Sequence, residues 1–320
     1  MPFNKTAIIL LWSLAFIWGS SFWLIKQGLD YFTPVQLASI RIICAAVVLL
    51  PVVLLKLRDR PLTKDKMPWI ALSLIGCFGN LIPAILFAFA QTVVHSALAA
   101  MLNALQPLFT LLLAVVIFHT RLSKRQVFGI FLSLAATVIL LSDNAPAVDP
   151  STHLLFSSLI VMATFCYAIA SNLIKHYCQD VPPLTITAFS LNIILMPSLI
   201  LLFSLNFSNI NQTMSFNDYP WEFWHSLGAI ALLGILGTAF ALLLFNRLIQ
   251  LTSPIYASLV TYLIPLVATL WGFLDNEPIT LLQFCAMIGV LVGLAIASRA
   301  EFRGLSRANN IERTSTANLE

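Results

Sequence analysis

Hydrophobic residues in this chain form long continuous runs, which short polar or charged segments separate. The runs lack the period-two alternation of barrel strands, and a helix needs about 20 residues to cross the hydrocarbon core of a bilayer. Long apolar runs therefore favour spanning helices. The pattern predicts ten transmembrane helices, at residues 6–26, 34–56, 67–90, 95–118, 124–142, 152–175, 183–205, 225–249, 253–275 and 280–298.

Sequence landmarks recur in the two halves of the chain. Lys26 and Pro34 end one run and begin the next, and Lys175 and Pro183 do so with identical spacing. Each half holds five predicted helices, so the second copy must enter the membrane from the opposite side. Inverted repeats of this kind are typical of secondary transporters. The predicted units are a first repeat at 1–148, a second repeat at 149–298 and a disordered cytoplasmic tail at 299–320.

The basic residues predict the orientation of these helices. With the N-terminus in the cytoplasm, all of the 17 lysines and arginines except Lys26 and Arg41 fall in cytoplasmic segments. Cytoplasmic loops carry an excess of Lys and Arg, so the reverse orientation is disfavoured. The predicted fold is an all-α integral membrane protein with both termini in the cytoplasm.

Composition excludes a soluble domain and several classes of site. The chain is 59% hydrophobic and 9% charged, whereas soluble domains average about 25% charged residues. The net charge of +4 is divided among short loops and predicts no nucleic-acid surface. The 5 cysteines are scattered without metal-ligand spacing, so we expect no disulfide framework, no metal site and no cofactor.

Several local motifs, taken in order, resemble the EamA family of the drug/metabolite transporter superfamily. They cover the chain before the tail and lie at 12–26, 34–41, 97–110, 122–129, 165–175 and 256–265. The resemblance implies ten helices in two inverted repeats and transport of small metabolites. It also implies a central cavity lined chiefly by the first, third, fourth, sixth, eighth and ninth helices. One departure is Thr120, where family members often carry a glutamate; the second repeat keeps Glu277.

Polar side chains recur at helical spacing on the helices that the resemblance assigns to the cavity. Trp18 and Tyr167 occupy matching places before Lys26 and Lys175, where they could sandwich a substrate. Polar groups within spans face a neighbouring helix or a cavity, and for a single hydroxyl a helix–helix hydrogen bond is the simpler alternative. The predicted substrate-binding residues are Trp18, Asn80, Asn103, Gln106, Tyr167, Ser171, Thr261 and Tyr262.

Arg41 and two prolines leave alternatives open. Arg41 is a charge within a predicted span, and it could reach the interface, pair with carbonyls or Asp30, or bind a substrate carboxylate. Pro107 and Pro265 hold matching positions and predict either hinges for alternating access or static kinks. Small residues in the fifth and tenth helices, including Gly129 and Gly293, predict close packing within or between protomers.

The predicted function is a secondary transporter, an exporter, of a small organic metabolite such as an amino acid. It would work by alternating access in the bacterial inner membrane, with the metabolite and the lipid bilayer as partners. The chain carries no catalytic motif and no mid-span carboxylate, so an enzyme is not expected. A non-transporting membrane sensor or scaffold is the alternative, and a homodimer through peripheral helices stays open.

Overall fold

The computed structural model describes residues 5–59, 68–118, 123–142, 149–204, 220–251, 260–293 and 295–296. Within these ranges the chain is helical and contains no strand. The predicted tail and Thr120 lie outside the described residues. The first helices are α1 Lys5–Leu29, α2 Pro34–Asp59, α3 (Trp69–Gly76, a π-helical turn Cys77–Leu81, Ile82–Ala90), α4 Ser96–Asn103 and α5 Gln106–Phe118.

The remaining helices follow in order from Lys124 onward. They are α6 Lys124–Ser142, α7 Pro150–Tyr177, α8 (Pro183–Ile193 and Leu195–Ser204), α9 (Trp221–Gly234, a π-helical turn Ile235–Phe240, Ala241–Leu251), α10 Val260–Leu274 and α11 Leu281–Gly293.

Seven helical stretches in the described residues are long and apolar enough to cross a membrane. They are Lys5–Leu29, Pro34–Arg58, Trp69–Ala90, Ser96–Leu113, Pro150–Tyr177, Pro183–Ser204 and Trp221–Phe245. α6 has 19 residues, and α10 and α11 are shorter apolar helices. The described part of the chain is therefore a helical structure with seven helices able to cross a membrane, whereas the count of ten spans remains a prediction.

Short polar sequences define several helix starts. Thr33 and Gln36 form a capping box before α2, because the Thr33 amide donates to Gln36 Oε1 at 3.0 Å and the Gln36 amide donates to Thr33 Oγ1 at 3.4 Å. The same exchange joins Ser123 with Gln126 before α6. Thr280 and Gln283 repeat it before α11. These caps satisfy amides that would otherwise lack partners at the helix ends.

The two matched prolines lie in different helical settings. Pro107 is the second residue of α5, and the helix is interrupted just before it at Ala104 and Leu105. Proline lacks an amide hydrogen and restricts the preceding residue, so a break there is expected. Pro265 lies buried inside α10, which is continuous from Val260 to Leu274. The structure thus places a break at one predicted hinge and a continuous helix at the other.

Helices from the first half of the chain pack chiefly on helices from the second half. α1 packs against α10 and α9, α2 packs against α8 and α9, and both α3 and α5 pack against α7. Polar contacts join some of these pairs: Asn172 Nδ2 donates to Thr110 O at 3.3 Å, and Asn192 Nδ2 donates to Ala46 O at 3.3 Å. The core of the protein therefore lies between the two halves.

Small residues bring α6 and α11 into close contact. Ser133 Oγ donates to Val290 O at 3.2 Å, and Gly289 approaches Ala136 so closely that an added Cβ would lie 3.0 Å from the Ala136 Cβ. A Cβ added at Gly293 would lie 2.7 Å from Gly129 O, which is too close for a side chain at this position. The predicted packing of these small-residue faces is confirmed, and it occurs within one chain.

Candidate functional site

Two π-helical turns occupy matching places in α3 and α9. They are Cys77–Leu81 and Ile235–Phe240. Asn80 lies in the first and Thr238 in the second, separated by the same number of residues as Pro107 and Pro265. The Thr238 hydroxyl donates to Leu233 O, five residues back, at 3.4 Å. Single π turns inside α-helices are frequent at functional sites, so these turns direct attention to the space between them.

A small cavity lies between the two turns and is lined from both halves of the chain. The lining residues are Arg41, Ile42, Asn80, Ala84, Tyr167, Leu191 and Thr238. The volume is about 10 Å³, which is room for about one water molecule. The cavity therefore has no room for a larger molecule. Its wall combines a guanidinium, an amide, a phenol and a hydroxyl with aliphatic side chains.

Among the residues that line the cavity, Arg41 is the only one with a charged side chain. Arg41 Nε donates to Thr238 Oγ1 at 3.3 Å, which links α2 to the π turn of α9. In the part of the chain that the structure describes, the guanidinium makes no ion pair. A cation at the centre of a spanning helix costs about 2.5–3.5 kcal/mol by insertion scales, and Arg41 lies about two turns inside the start of α2, where a smaller cost applies. Arg41 is half-buried, so part of this cost remains without a compensating anion from the described residues.

Close backbone packing holds Arg41 in place. Gly234, one residue before the π turn of α9, lies against α2, and an added Cβ would be 2.5 Å from Arg41 O and 2.9 Å from Cys44 Cβ. Gly76, one residue before the π turn of α3, lies in the same way against Ser190 O at 2.6 Å. Ser190 is the residue that matches Arg41 in the other half of the chain. The two contacts are therefore equivalent, but only one of them carries a charged side chain.

Tyr167 reaches the cavity from α7. Its ring is stacked on Phe87 of α3, with centroids 6.1 Å apart and planes at 28°. Ser171, one turn further along α7, donates its hydroxyl to Tyr167 O at 2.8 Å. Ser171 thus bonds within its own helix and is not among the residues that line the cavity.

Trp18, the counterpart of Tyr167 in the first half, holds the second π turn. Its indole Nε1 donates to Gly237 O at 3.0 Å, and its ring lies 5.4 Å from that of Phe245. A π turn leaves backbone carbonyls without their usual helical partners, and the indole satisfies one of them. Trp18 therefore contacts the backbone of the π turn beside the cavity. Its own side chain is not among those that line the cavity.

The other predicted binding residues are not among those that line the Arg41 cavity. Asn103 Oδ1 is buried at the end of α4 and has no hydrogen-bond partner among the described residues. Gln106 is half-buried at the start of α5, and Thr261 and Tyr262 are half-buried in the first turn of α10. The structure thus brings Asn80 and Tyr167 together and does not place the remaining candidates beside them.

An ionic cluster joins the ends of α1, α4 and α10. Lys26 pairs with Asp275 and, at 3.3 Å, with Glu277 Oε1. The Glu277 side chain is 1% exposed. It also accepts hydrogen bonds from the amides of Ser96 and Ala97, both at 3.1 Å. These two acidic residues are therefore engaged with Lys26 and α4, and not with Arg41.

Sequence reasoning missed Thr238 and left Arg41 undecided. A repeated signal was present: Gly76-Cys77-Phe78-Gly79-Asn80 matches Gly234-Ile235-Leu236-Gly237-Thr238, with glycines at the same two positions and a polar residue after the second. The glycines permit the close helix contacts described above, and the polar residue lines the cavity. A comparison of the two halves at the spacing of the matched prolines would have found Thr238 as the counterpart of Asn80.

Comparison with known proteins agrees with this architecture. The model of the EamA-like transporter family matches residues 5–142 and 155–299. The uncharacterized transporter YyaM of Bacillus subtilis is 26% identical over 293 residues, which cover 91% of this chain and 92% of YyaM. The uncharacterized inner membrane transporter YedA of Escherichia coli is 25% identical over 288 residues, covering 88% of this chain and 87% of YedA.

A more distant relative and one solved structure complete the comparison. A Salmonella typhimurium protein named "Probable amino-acid metabolite efflux pump" is 27% identical over 169 residues, covering 52% of each chain. A solved crystal structure of another protein is 17% identical in sequence, with a TM-score of 0.60, and the match covers 93% of this chain and 98% of that one. At that identity the structure shows a shared fold alone.

The family match extends over most of the chain and occurs twice. Together with the apolar helices, it confirms both the resemblance stated from the motifs and the location in the inner membrane. The chain belongs to the EamA-like transporter family, and it is a multi-pass inner-membrane transporter.

Proposed function

We propose that the protein exports a small organic metabolite, such as an amino acid, by alternating access between two inverted repeats. One observation carries this proposal: a cavity with four polar or charged side chains in its wall lies between the two halves, flanked by matching π turns. Transporter sites typically lie near the midplane at a repeat interface, where broken helices line them. The efflux-pump name of one relative supports the direction and the substrate class.

The cavity explains what must move during transport. Its volume of about 10 Å³ is far smaller than a metabolite, so binding requires the helices around it to separate. The π turns and the interruption before Pro107 are the positions where α3, α9 and the α4–α5 pair lack regular helical hydrogen bonds. We propose that the helices bend at these positions and that Asn80 and Tyr167 contact the substrate. Trp18, Asn103, Gln106, Ser171, Thr261 and Tyr262 remain proposed contacts of the opened state.

Flux measurements test the proposed function. The protein is reconstituted in liposomes that contain a mixture of labelled amino acids, and saturable efflux is expected from protein-containing vesicles only. Asn80→Leu and Tyr167→Ala are expected to reduce efflux at least tenfold, whereas the exposed-residue variant Trp12→Phe is expected to preserve it. If the wild-type protein moved no compound, the non-transporting sensor or scaffold would replace this proposal.

Labelling from one side of the membrane tests the inverted repeats. In a cysteine-free background, Thr33→Cys and Gln179→Cys place thiols at exposed positions just after α1 and α7. A membrane-impermeant maleimide added to intact spheroplasts is expected to label Cys at position 33 and not at 179. Labelling of both or of neither would contradict opposite orientations of the repeats and the cytoplasmic location of the termini.

A homodimer through the peripheral helices is proposed only for the outward faces of α6 and α11. The small-residue faces of these helices are used within the chain, whereas Phe131 and Leu281 are 67% and 79% exposed. Crosslinking of Phe131→Cys in native membranes is expected to trap a covalent dimer if these faces meet.

A further inference from the structure

The strongest unexplained feature of the cavity is the charge of Arg41. Its Nε donates to Thr238, and no other hydrogen bond of the guanidinium occurs within the described residues. Asp275 and Glu277 are paired with Lys26 at the ends of α1 and α10. An arginine that is half-buried among apolar helices without a counter-ion is unfavourable unless an anion compensates it in some state of the protein.

The contact with Thr238 also orients the guanidinium. A guanidinium carries five N–H donors in a planar fork, and Thr238 engages the one at Nε. The two terminal nitrogens remain for a second partner. Two parallel N–H donors match the two oxygens of a carboxylate, and such paired hydrogen bonds are short and strong. Thr238 thus fixes the direction in which the fork can bind.

The rest of the cavity wall suits a carboxylate on an organic molecule. The Asn80 amide and the Tyr167 phenol can each donate a further hydrogen bond, and Ile42, Ala84 and Leu191 supply apolar surface. Among the described residues, no second cation lines the cavity. A single arginine balances one negative charge, so the wall favours a monocarboxylate over a phosphate, which carries nearly two.

We propose that Arg41 binds the carboxylate of the transported metabolite and that Thr238 is the residue that positions it. This inference rests on the proposed function, because it defines the substrate class of the same cavity. The protein then selects molecules that carry a carboxylate and rejects their amides and decarboxylated amines. Because Ser190 holds the matching place, only one of the two halves binds the anion.

The first experiment measures flux with matched labelled probes: amino acids, the corresponding amino-acid amides, and the corresponding amines. Wild-type protein is expected to move the carboxylate-bearing members only. Arg41→Gln is expected to reduce this flux roughly 10- to 100-fold, the range for a lost hydrogen bond to a charged group. Arg41→Lys keeps the charge without the planar fork and is expected to fall between them. Ser190→Ala, at the matching position, is the control and should retain flux.

Thr238 variants separate positioning from bulk packing. Thr238→Val removes the acceptor for Arg41 Nε and is expected to raise the KM for the carboxylate probe with a smaller change in maximal flux. Thr238→Ser restores the hydroxyl and is expected to restore the KM. Equal flux of amides and acids, or normal flux in Arg41→Gln, would overturn the carboxylate site while leaving transport itself established.

A binding readout that does not need transport distinguishes the two proposals. In detergent, acetate at constant ionic strength is expected to raise the Tm of wild type, whereas acetamide is not, and Arg41→Gln should lose the effect. Without acetate, Arg41→Gln is expected to be as stable as wild type or more stable, because it removes an uncompensated charge. A strongly destabilised Arg41→Gln, or the same response to acetate in both proteins, would overturn the inference. Absence of flux with a retained acetate response would instead overturn the proposed function alone.

Discussion

Glu277 bonds to the start of α4 through Ser96, which lies 181 residues earlier in the chain. Its Oε1 accepts from the Ser96 amide at 3.1 Å and from the Ser96 hydroxyl at 2.8 Å. The carboxylate thus caps a helix of the first half while it pairs with Lys26 of the same half. A negative group at a helix N-terminus is favourable because the free amides there carry partial positive charge. Glu277 therefore links the second half of the chain to α1 and α4 of the first half.

We expect Glu277→Gln to destabilise the protein by about 2 kcal/mol, the range for hydrogen bonds to a buried charged group. The glutamine retains one acceptor oxygen but loses the pairing with Lys26. Asp275→Asn is the control: Asp275 is 29% exposed, and exposed ion pairs contribute about 0–1 kcal/mol. Thermal unfolding in detergent measures both. Equal losses in the two variants would contradict the distinct role of Glu277.

Gly234 should tolerate no side chain. An added Cβ would lie 2.5 Å from Arg41 O, so α2 and α9 would have to separate. We expect Gly234→Ala to cost about 1–3 kcal/mol in the free energy of unfolding, as overpacking typically does. Gly228, in the same helix, has nothing within 4 Å of its added Cβ. Gly228→Ala is therefore expected to be neutral or to stabilise by about 0.5–1 kcal/mol. Chemical denaturation in detergent compares the two, and a neutral Gly234→Ala would refute the close approach.

Trp18→Phe tests the hydrogen bond to the π turn of α9. Phenylalanine retains a ring near Phe245 but leaves Gly237 O without the indole donor. We expect a loss of about 1 kcal/mol, the usual net value of one hydrogen bond. The control is Trp12→Phe in the same helix, where the side chain is 52% exposed and a change within about 0.5 kcal/mol is expected. Thermal unfolding of both variants decides whether the indole N–H stabilises the turn.

We expect the stability of the protein to depend on pH through Asp149, the N-cap residue of α7. Hydrogen bonds from the Ser151 hydroxyl and the Thr152 amide lower the pKa of this N-cap carboxyl below its ordinary value. Its stabilising effect is therefore fully present above the unfolded pKa, about 3.9, and is lost as the pH falls through the lower folded pKa. We expect the small Tm difference between wild type and Asp149→Asn to vanish on acidification. A difference that grew at low pH would contradict this cause.

Sequence patterns were sufficient for the parts of the fold that depend on local chemistry. The apolar runs predicted the positions of the helices to within a few residues at most ends, because a spanning helix must satisfy its backbone internally. Capping residues such as Thr33 and Thr280 mark helix starts directly. The equivalence of Lys26 and Lys175, and of Pro107 and Pro265, is also visible in the sequence alone. The family assignment followed from motifs of the same kind.

The candidate site was only partly predictable. Asn80 stood out as a polar residue in an apolar helix, and Tyr167 stood out because it holds the same place before Lys175 as Trp18 does before Lys26. Thr238 was missed because a threonine in a membrane helix commonly bonds its own backbone, as it also does here. Periodicity cannot show that the Thr238 hydroxyl additionally accepts from Arg41, 197 residues earlier in the chain.

By itself, the sequence determined that this chain is a helical inner-membrane protein of a transporter family, because hydrophobicity, charge and helix signals act over short distances along the chain. The tertiary structure decided which helices face one another. In the tertiary structure, one cavity is lined by Arg41, Asn80, Tyr167 and Thr238. Glu277 instead contacts Lys26 and Ser96. Helical spacing shows which side chains share a face of one helix, but the packing of that face against another is set by close contacts such as that of Gly234 with Arg41.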